Sequence, residues 1–116
     1  MATVVAFVDD LFFQAKLLET ARQVGVELHA VSTTEALADE LREQPALVLV
    51  DLNARTDAVS AIDRLRAIGN AAPVVGFFSH VQTELAERAL AAGCREVLPR
   101  SKFTRDLAAI LTAAKN

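Results

Sequence analysis

Three short apolar runs, each closing on an acid or a hydroxyl, constrain this chain more than anything else in it. Thr3–Val8 runs into Asp9 and Asp10, Ala46–Val50 into Asp51, and Pro73–Phe78 into Ser79. Unbroken apolar runs of this length read as strands buried on both faces of a parallel sheet. Helical spacing fills the gaps between them, so strand-like and helix-like segments alternate along the whole chain. Strict alternation with right-handed crossovers implies a doubly wound α/β sheet. Val26–Val31 alternates apolar and polar residues, as an edge strand does. An outlying second strand gives the order 2-1-3-4-5, with the first and third strands adjacent at the switch point. Ligands in such sheets bind outside the carboxyl ends of the strands, where Asp9, Asp10 and Asp51 are expected to meet with Ser79 beside them.

The first helix should carry Leu11, Phe12, Ala15, Leu18, Ala21 and Val24 and stop at Gly25. One of Phe12 and Phe13 should be exposed beside the acids. Ser32-Thr33-Thr34-Glu35 has the spacing of a capping box, opening a helix through about Gln44. A third helix is expected from Thr56 or Asp57 to Gly69, and a fourth from Gln82 to Ala92. The last strand is Glu96-Val97-Leu98-Pro99, and the last helix should begin after Ser101.

A chain of 116 residues fits one domain, taken here as residues 1–116. Its net charge of −3 argues against direct nucleic-acid binding, which needs a basic face. The single Cys94 cannot form an internal disulfide and suits a reducing compartment. The N-terminus lacks the basic segment of a signal peptide, and no stretch reaches the roughly 18 apolar residues of a membrane span. A cytoplasmic location without membrane attachment is the expectation. Phosphate-cradling, dinucleotide-binding and nucleophile-elbow glycine motifs are missing from the sequence, which argues against an enzyme acting on external substrates.

Three carboxylates in one cleft repel one another, and each has its pKa raised unless something offsets the charge. Magnesium is the natural counter-ion: it prefers oxygen and typically takes one or two carboxylates with waters and phosphate oxygens. A carboxylate beside a metal is also a nucleophile toward phosphorus. The plainer alternative is that Asp9 and Asp10 cap the first helix, and that Ser79, three residues before Gln82, caps the fourth. Arg100 is the first cation after the fifth strand, and Lys102 faces the same way if the extended backbone continues.

These residues together resemble the receiver domain of two-component response regulators, close to the chemotaxis type. The resemblance rests on Val8-Asp9-Asp10, Val50-Asp51-Leu52, Phe78-Ser79 and the stretch Ala91–Arg100, and it spans the chain. It implies a flavodoxin-like (βα)5 fold. It also implies phosphorylation on Asp51, Mg2+ held by Asp9, Asp10, Asp51 and the backbone carbonyl of Asn53, and a switch hydroxyl at Ser79. The implied partners are a histidine kinase or phosphotransfer protein and a downstream target. Signalling, and a possible homodimer, would use the face of the fourth helix, fifth strand and fifth helix; catalysis would be limited to the domain's own phosphorylation and dephosphorylation. Four departures stand against the family pattern. Arg100 replaces a lysine, with Lys102 as a substitute, and the loop Asn53–Val59 is shorter. His80 follows the switch hydroxyl where a small residue is usual, and Val97 takes an aromatic position. They open an alternative, a pseudo-receiver that keeps the fold and acts by phosphorylation-independent protein contact.

Overall fold

Parallel strands need crossovers, and here every crossover is a helix. The computed structural model describes residues 3–54, 57–79 and 83–115. Strand β1 (Thr3–Phe7) leads to α1 (Leu11–Val24), β2 (Glu27–Val31), α2 (Thr34–Glu40), a 3-10 turn (Leu41–Glu43) and β3 (Leu47–Asp51). Then follow α3 (Ala58–Ala67), β4 (Val74–Phe78), α4 (Thr83–Ala92), β5 (Glu96–Pro99), α5 (Arg100–Arg105) and α6 (Leu107–Ala113). The strands form one sheet in the order β2-β1-β3-β4-β5, all pairs parallel, with Phe7 level with both Val31 and Val50. This is the flavodoxin-like arrangement expected from the alternation.

The two faces of the sheet follow the period-two alternation of strand side chains. Val4, Ala6, Leu49, Val75 and Phe77 pack with Phe13, Leu17 and Ala21 of α1 and with Phe103, Leu107 and Leu111 of α5 and α6. Val5, Phe7, Val48, Val50 and Val74 pack the other way, against Leu37, Ile62, Leu65 and Ala89 of α2, α3 and α4. Phe77 and Phe103 stack with centroids 4.2 Å apart, and Phe13 tilts against both.

Several boundaries move from their expected places. Thr33 rather than Ser32 caps α2, its hydroxyl accepting from the Ala36 N–H at 3.1 Å. That helix ends at Glu40 and tightens into the 3-10 turn, with Gln44 left-handed at φ 50°. The last helix begins at Arg100, two residues earlier than a start after Ser101, and breaks at Asp106 into α5 and α6. Asp57 caps α3, as its sequence position allowed. Thr56, His80 and Gln82, and with them the expected Ser79–Gln82 capping pattern, lie outside the described residues. No helix among the described residues is long and apolar enough to cross a membrane.

Candidate functional site

Phase places the site. Asp51 continues the Leu47, Leu49 register of β3, Ser79 that of Val75 and Phe77, and Arg100 that of Leu98, all belonging to the sheet face that α1 and α6 cover. All three therefore emerge on one side at the carboxyl ends of their strands. Val8 extends β1 by one more hydrogen bond, its N–H donating to the Val31 carbonyl at 2.9 Å. The Gln14 side-chain amide donates to the Val8 carbonyl, which ties the acid-bearing turn down onto α1.

Asp51 is 4% exposed and is the one buried charged residue among the described residues. Its Oδ1 accepts the Asn53 N–H at 2.9 Å, which fixes the carboxyl's rotation. Burial pushes the Asp51 pKa up; the Asn53 N–H and the charge of Arg100 pull against it, while Asp9 and Asp10 add to the rise. The charges of Asp9 and Asp10 thus reach Asp51.

Asp10 has two jobs, one for each oxygen. Its Oδ1 accepts from the N–H groups of Phe12 and Phe13 at 3.0 and 3.2 Å and so caps α1. Its Oδ2 accepts from Arg100 Nη2 at 3.3 Å. The Phe13 N–H, then the Arg100 guanidinium, hold the Asp10 carboxyl below its usual pKa. The capping alternative for Asp10 is therefore realised together with its place in the cluster.

Arg100 is the cation the fifth strand delivers. Its Nη1 donates to Ser79 Oγ at 3.3 Å while Nη2 holds Asp10, and the guanidinium carbon lies 4.0 Å from the centroid of the Phe13 ring. Lys102 sits exposed within the helix instead. The extended backbone that would have aimed it at the acids ends at Pro99, because Arg100 already has helical geometry. On the other side, Ser79 N–H donates to the side-chain oxygen of Asn53 at 2.6 Å. Two contributions thus go beyond the sequence reading: the Asn53 side chain, which joins the ends of β3 and β4, and the Phe13 ring beneath Arg100. The signal for Phe13 was its four-residue spacing with Leu17 and Ala21, the buried face of α1, whereas Leu11, Phe12 and Leu18 of the expected face are exposed. Phe12 is 91% exposed.

Among the described residues, no three His, Cys, Asp or Glu side chains converge closely enough to hold a metal ion by themselves. Magnesium does not require three: one or two carboxylates, waters and a phosphoryl oxygen suffice, and every donor here is oxygen. The chemistry of the residues fits that ion.

No protein-family model matches the chain, and no curated protein sequence matches it either. Its shape is more informative. The receiver domain of the Francisella response regulator 1452 superposes with a TM-score of 0.83 at 15% identity, over 98% of this chain and 96% of that one. This is the receiver-domain fold. A response regulator receiver domain from Clostridium thermocellum gives 0.83 at 16% identity, covering 98% of this chain and 94% of its own. A response regulator from Thermotoga maritima gives 0.81 at 17%, covering 98% and 97%. In a receiver-domain fold the acids, Ser79 and Arg100 all stand at one end of the sheet, in the crevice beside the switch point.

Proposed function

We propose that the chain is a phosphoacceptor signalling domain, phosphorylated on Asp51. The carrying observation is a single buried carboxylate at the end of the central strand β3, oriented by a backbone N–H and faced by two acids and an arginine. With Oδ1 held by Asn53, Oδ2 is the nucleophile. It attacks the donor's phosphorus; an O–P bond forms, and the donor's P–N or P–O bond breaks with its electron pair leaving on the donor. A phosphohistidine protein or an acyl phosphate is the fitting donor class. Asp9, Asp51, the Asn53 carbonyl and Asp10 Oδ2 would hold Mg2+, which when bound neutralises charge on the transferring phosphoryl group. Arg100 supplies a second positive charge, and Ser79 Oγ, already hydrogen-bonded to Arg100, is the hydroxyl placed to follow the phosphoryl oxygens. The readout surface is the face of α4, β5 and α5, where a downstream protein or a second copy would dock. Catalysis is confined to the domain's own phosphorylation and dephosphorylation.

One observation favours the second reading, a pseudo-receiver working by protein contact alone. Arg100 bridges Asp10 and Ser79, so the chain offsets part of the acid charge with a cation of its own. Incubation with acetyl phosphate and Mg2+, followed by intact mass measurement, separates the two. A phosphoryl increment that is lost in Asp51→Asn supports phosphorylation on Asp51. An unchanged mass, with a histidine phosphotransfer protein also failing as donor, leaves the pseudo-receiver.

A further inference from the structure

We propose that Arg100 is a tethered counter-ion that competes with a divalent cation for Asp10, so that metal entry releases Ser79. The inference deepens the phosphoacceptor reading by assigning a regulation to the same site, and it needs from that reading only that the acids take a metal. The geometry of Asp10 carries it. One of its oxygens is committed to capping α1 through Phe12 and Phe13. The other is the oxygen Arg100 holds at 3.3 Å. A cation reaching Asp10 without uncapping α1 must therefore share that oxygen with the guanidinium or displace it.

Arginine does not escape this competition by losing its proton, since its pKa lies far above any working pH. Two cations on one carboxylate oxygen repel, so occupancy by one disfavours the other, and the coupling is reciprocal. The same rigid fork that holds Asp10 through Nη2 holds Ser79 Oγ through Nη1, with its face against the Phe13 ring. Moving Nη2 off Asp10 rotates Nη1 as well. Metal binding at the acids is thereby transmitted to the end of β4. A lysine has no fork and cannot span the two partners in this way.

The test is a Mg2+ titration of the full chain, followed by amide and arginine side-chain NMR, in the parent, Arg100→Gln and Arg100→Lys. Gln removes the charge, and Lys keeps it without the fork. Arg100→Gln is expected to bind Mg2+ several-fold more tightly than the parent, since removing the guanidinium removes the charge that competes for Asp10. Arg100→Lys should fall between them. In the parent, the Arg100 Nε–H should shift with Mg2+ occupancy and the Ser79 amide with it, whereas in Arg100→Gln the Ser79 amide should shift less, keeping only what reaches it through Asn53. Equal or weaker Mg2+ affinity in a folded Arg100→Gln overturns the proposal, and so does the lack of saturable shifts in both parent and variant. Adding beryllofluoride separates the two ideas. Tighter Mg2+ with no beryllofluoride response keeps the latch and removes the phosphoacceptor; a beryllofluoride response with unchanged Mg2+ affinity does the reverse.

Discussion

Asp51 is costly to ionise in the fold. A buried carboxylate flanked by two acids is disfavoured in its charged form, and its pKa is raised in the fold. The sign of the linkage follows. Between the unfolded pKa of about 3.9 and the raised folded value, the native state binds more protons, so stability falls as pH rises through that window. Asp51→Asn should therefore unfold at a higher temperature than the parent at neutral pH. The gain should fade on acidification and vanish below the unfolded pKa; calorimetry across pH reads it, and a variant less stable at neutral pH would contradict the picture. Cys94 shows the same effect of burial on a thiol. At 7% exposure, with its pKa pushed to about 11 by desolvation, its thiol should resist alkylation until the chain unfolds. Single residues were legible in the sequence to different degrees. Asp51, Ser79 and Arg100 could be read because each sits in phase with an apolar neighbour two positions before it. The double role of Asp10 could not: a sequence offers capping and ion pairing as alternatives, and only geometry shows each oxygen taking one. Lys102 misled for a local reason, because Ser101 is a favoured helix cap and its presence suggested that the chain stays extended past Arg100.

At the scale of elements, β2 and α2 share a titratable clasp at the sheet edge. His29 Nδ1 lies 2.7 Å from Glu40 Oε2, and Nε2 lies 3.5 Å from Glu27 Oε2. The hydrogen bond to Glu40, more than the charges of Glu27 and Glu43, raises the His29 pKa against a smaller opposing effect of burial. A raised histidine pKa contributes stability that is fully present below the unfolded value of about 6.5 and is lost as pH rises through the folded value. Urea midpoints of the parent should decline over that window, and Glu40→Gln should flatten the decline; an equal slope in both would remove the clasp. On the opposite face, the stack of Phe77 on Phe103 anchors α5, a helix of only six residues with no side-chain cap. Phe103→Ala should cost about 3–5 kcal/mol in urea unfolding, the usual range for emptying a buried aromatic site. Because α5 begins at Arg100, that loss should also loosen the arginine over Phe13. The existence and type of the strands and long helices were readable from periodicity. Their ends were not: Ser32 and Thr33 are adjacent residues of similar capping chemistry, and the last helix starts after Pro99, which offers no side-chain cap, rather than after Ser101, which could.

Across the whole molecule, the order β2-β1-β3-β4-β5 brings residues from four separate strand ends into one crevice. That convergence follows from alternation and handedness, which is why the fold and the neighbourhood of Asp9, Asp10, Asp51 and Ser79 could be read before any coordinates. The ties across the crevice could not, because they depend on side-chain reach: Asn53 to the Ser79 N–H, and Arg100 to both Asp10 and Ser79. They link the ends of β3 and β4 to α1 and α5. The most direct test of Asp51 as phosphoacceptor is an amide NMR titration with beryllofluoride in the presence of Mg2+. The expected result is saturable shifts at Asp9, Asp10, Asp51 and Ser79 that spread into α4 and β5 and are abolished in Asp51→Asn. A well-dispersed spectrum that does not respond, or the same response in Asp51→Asn, would contradict the account.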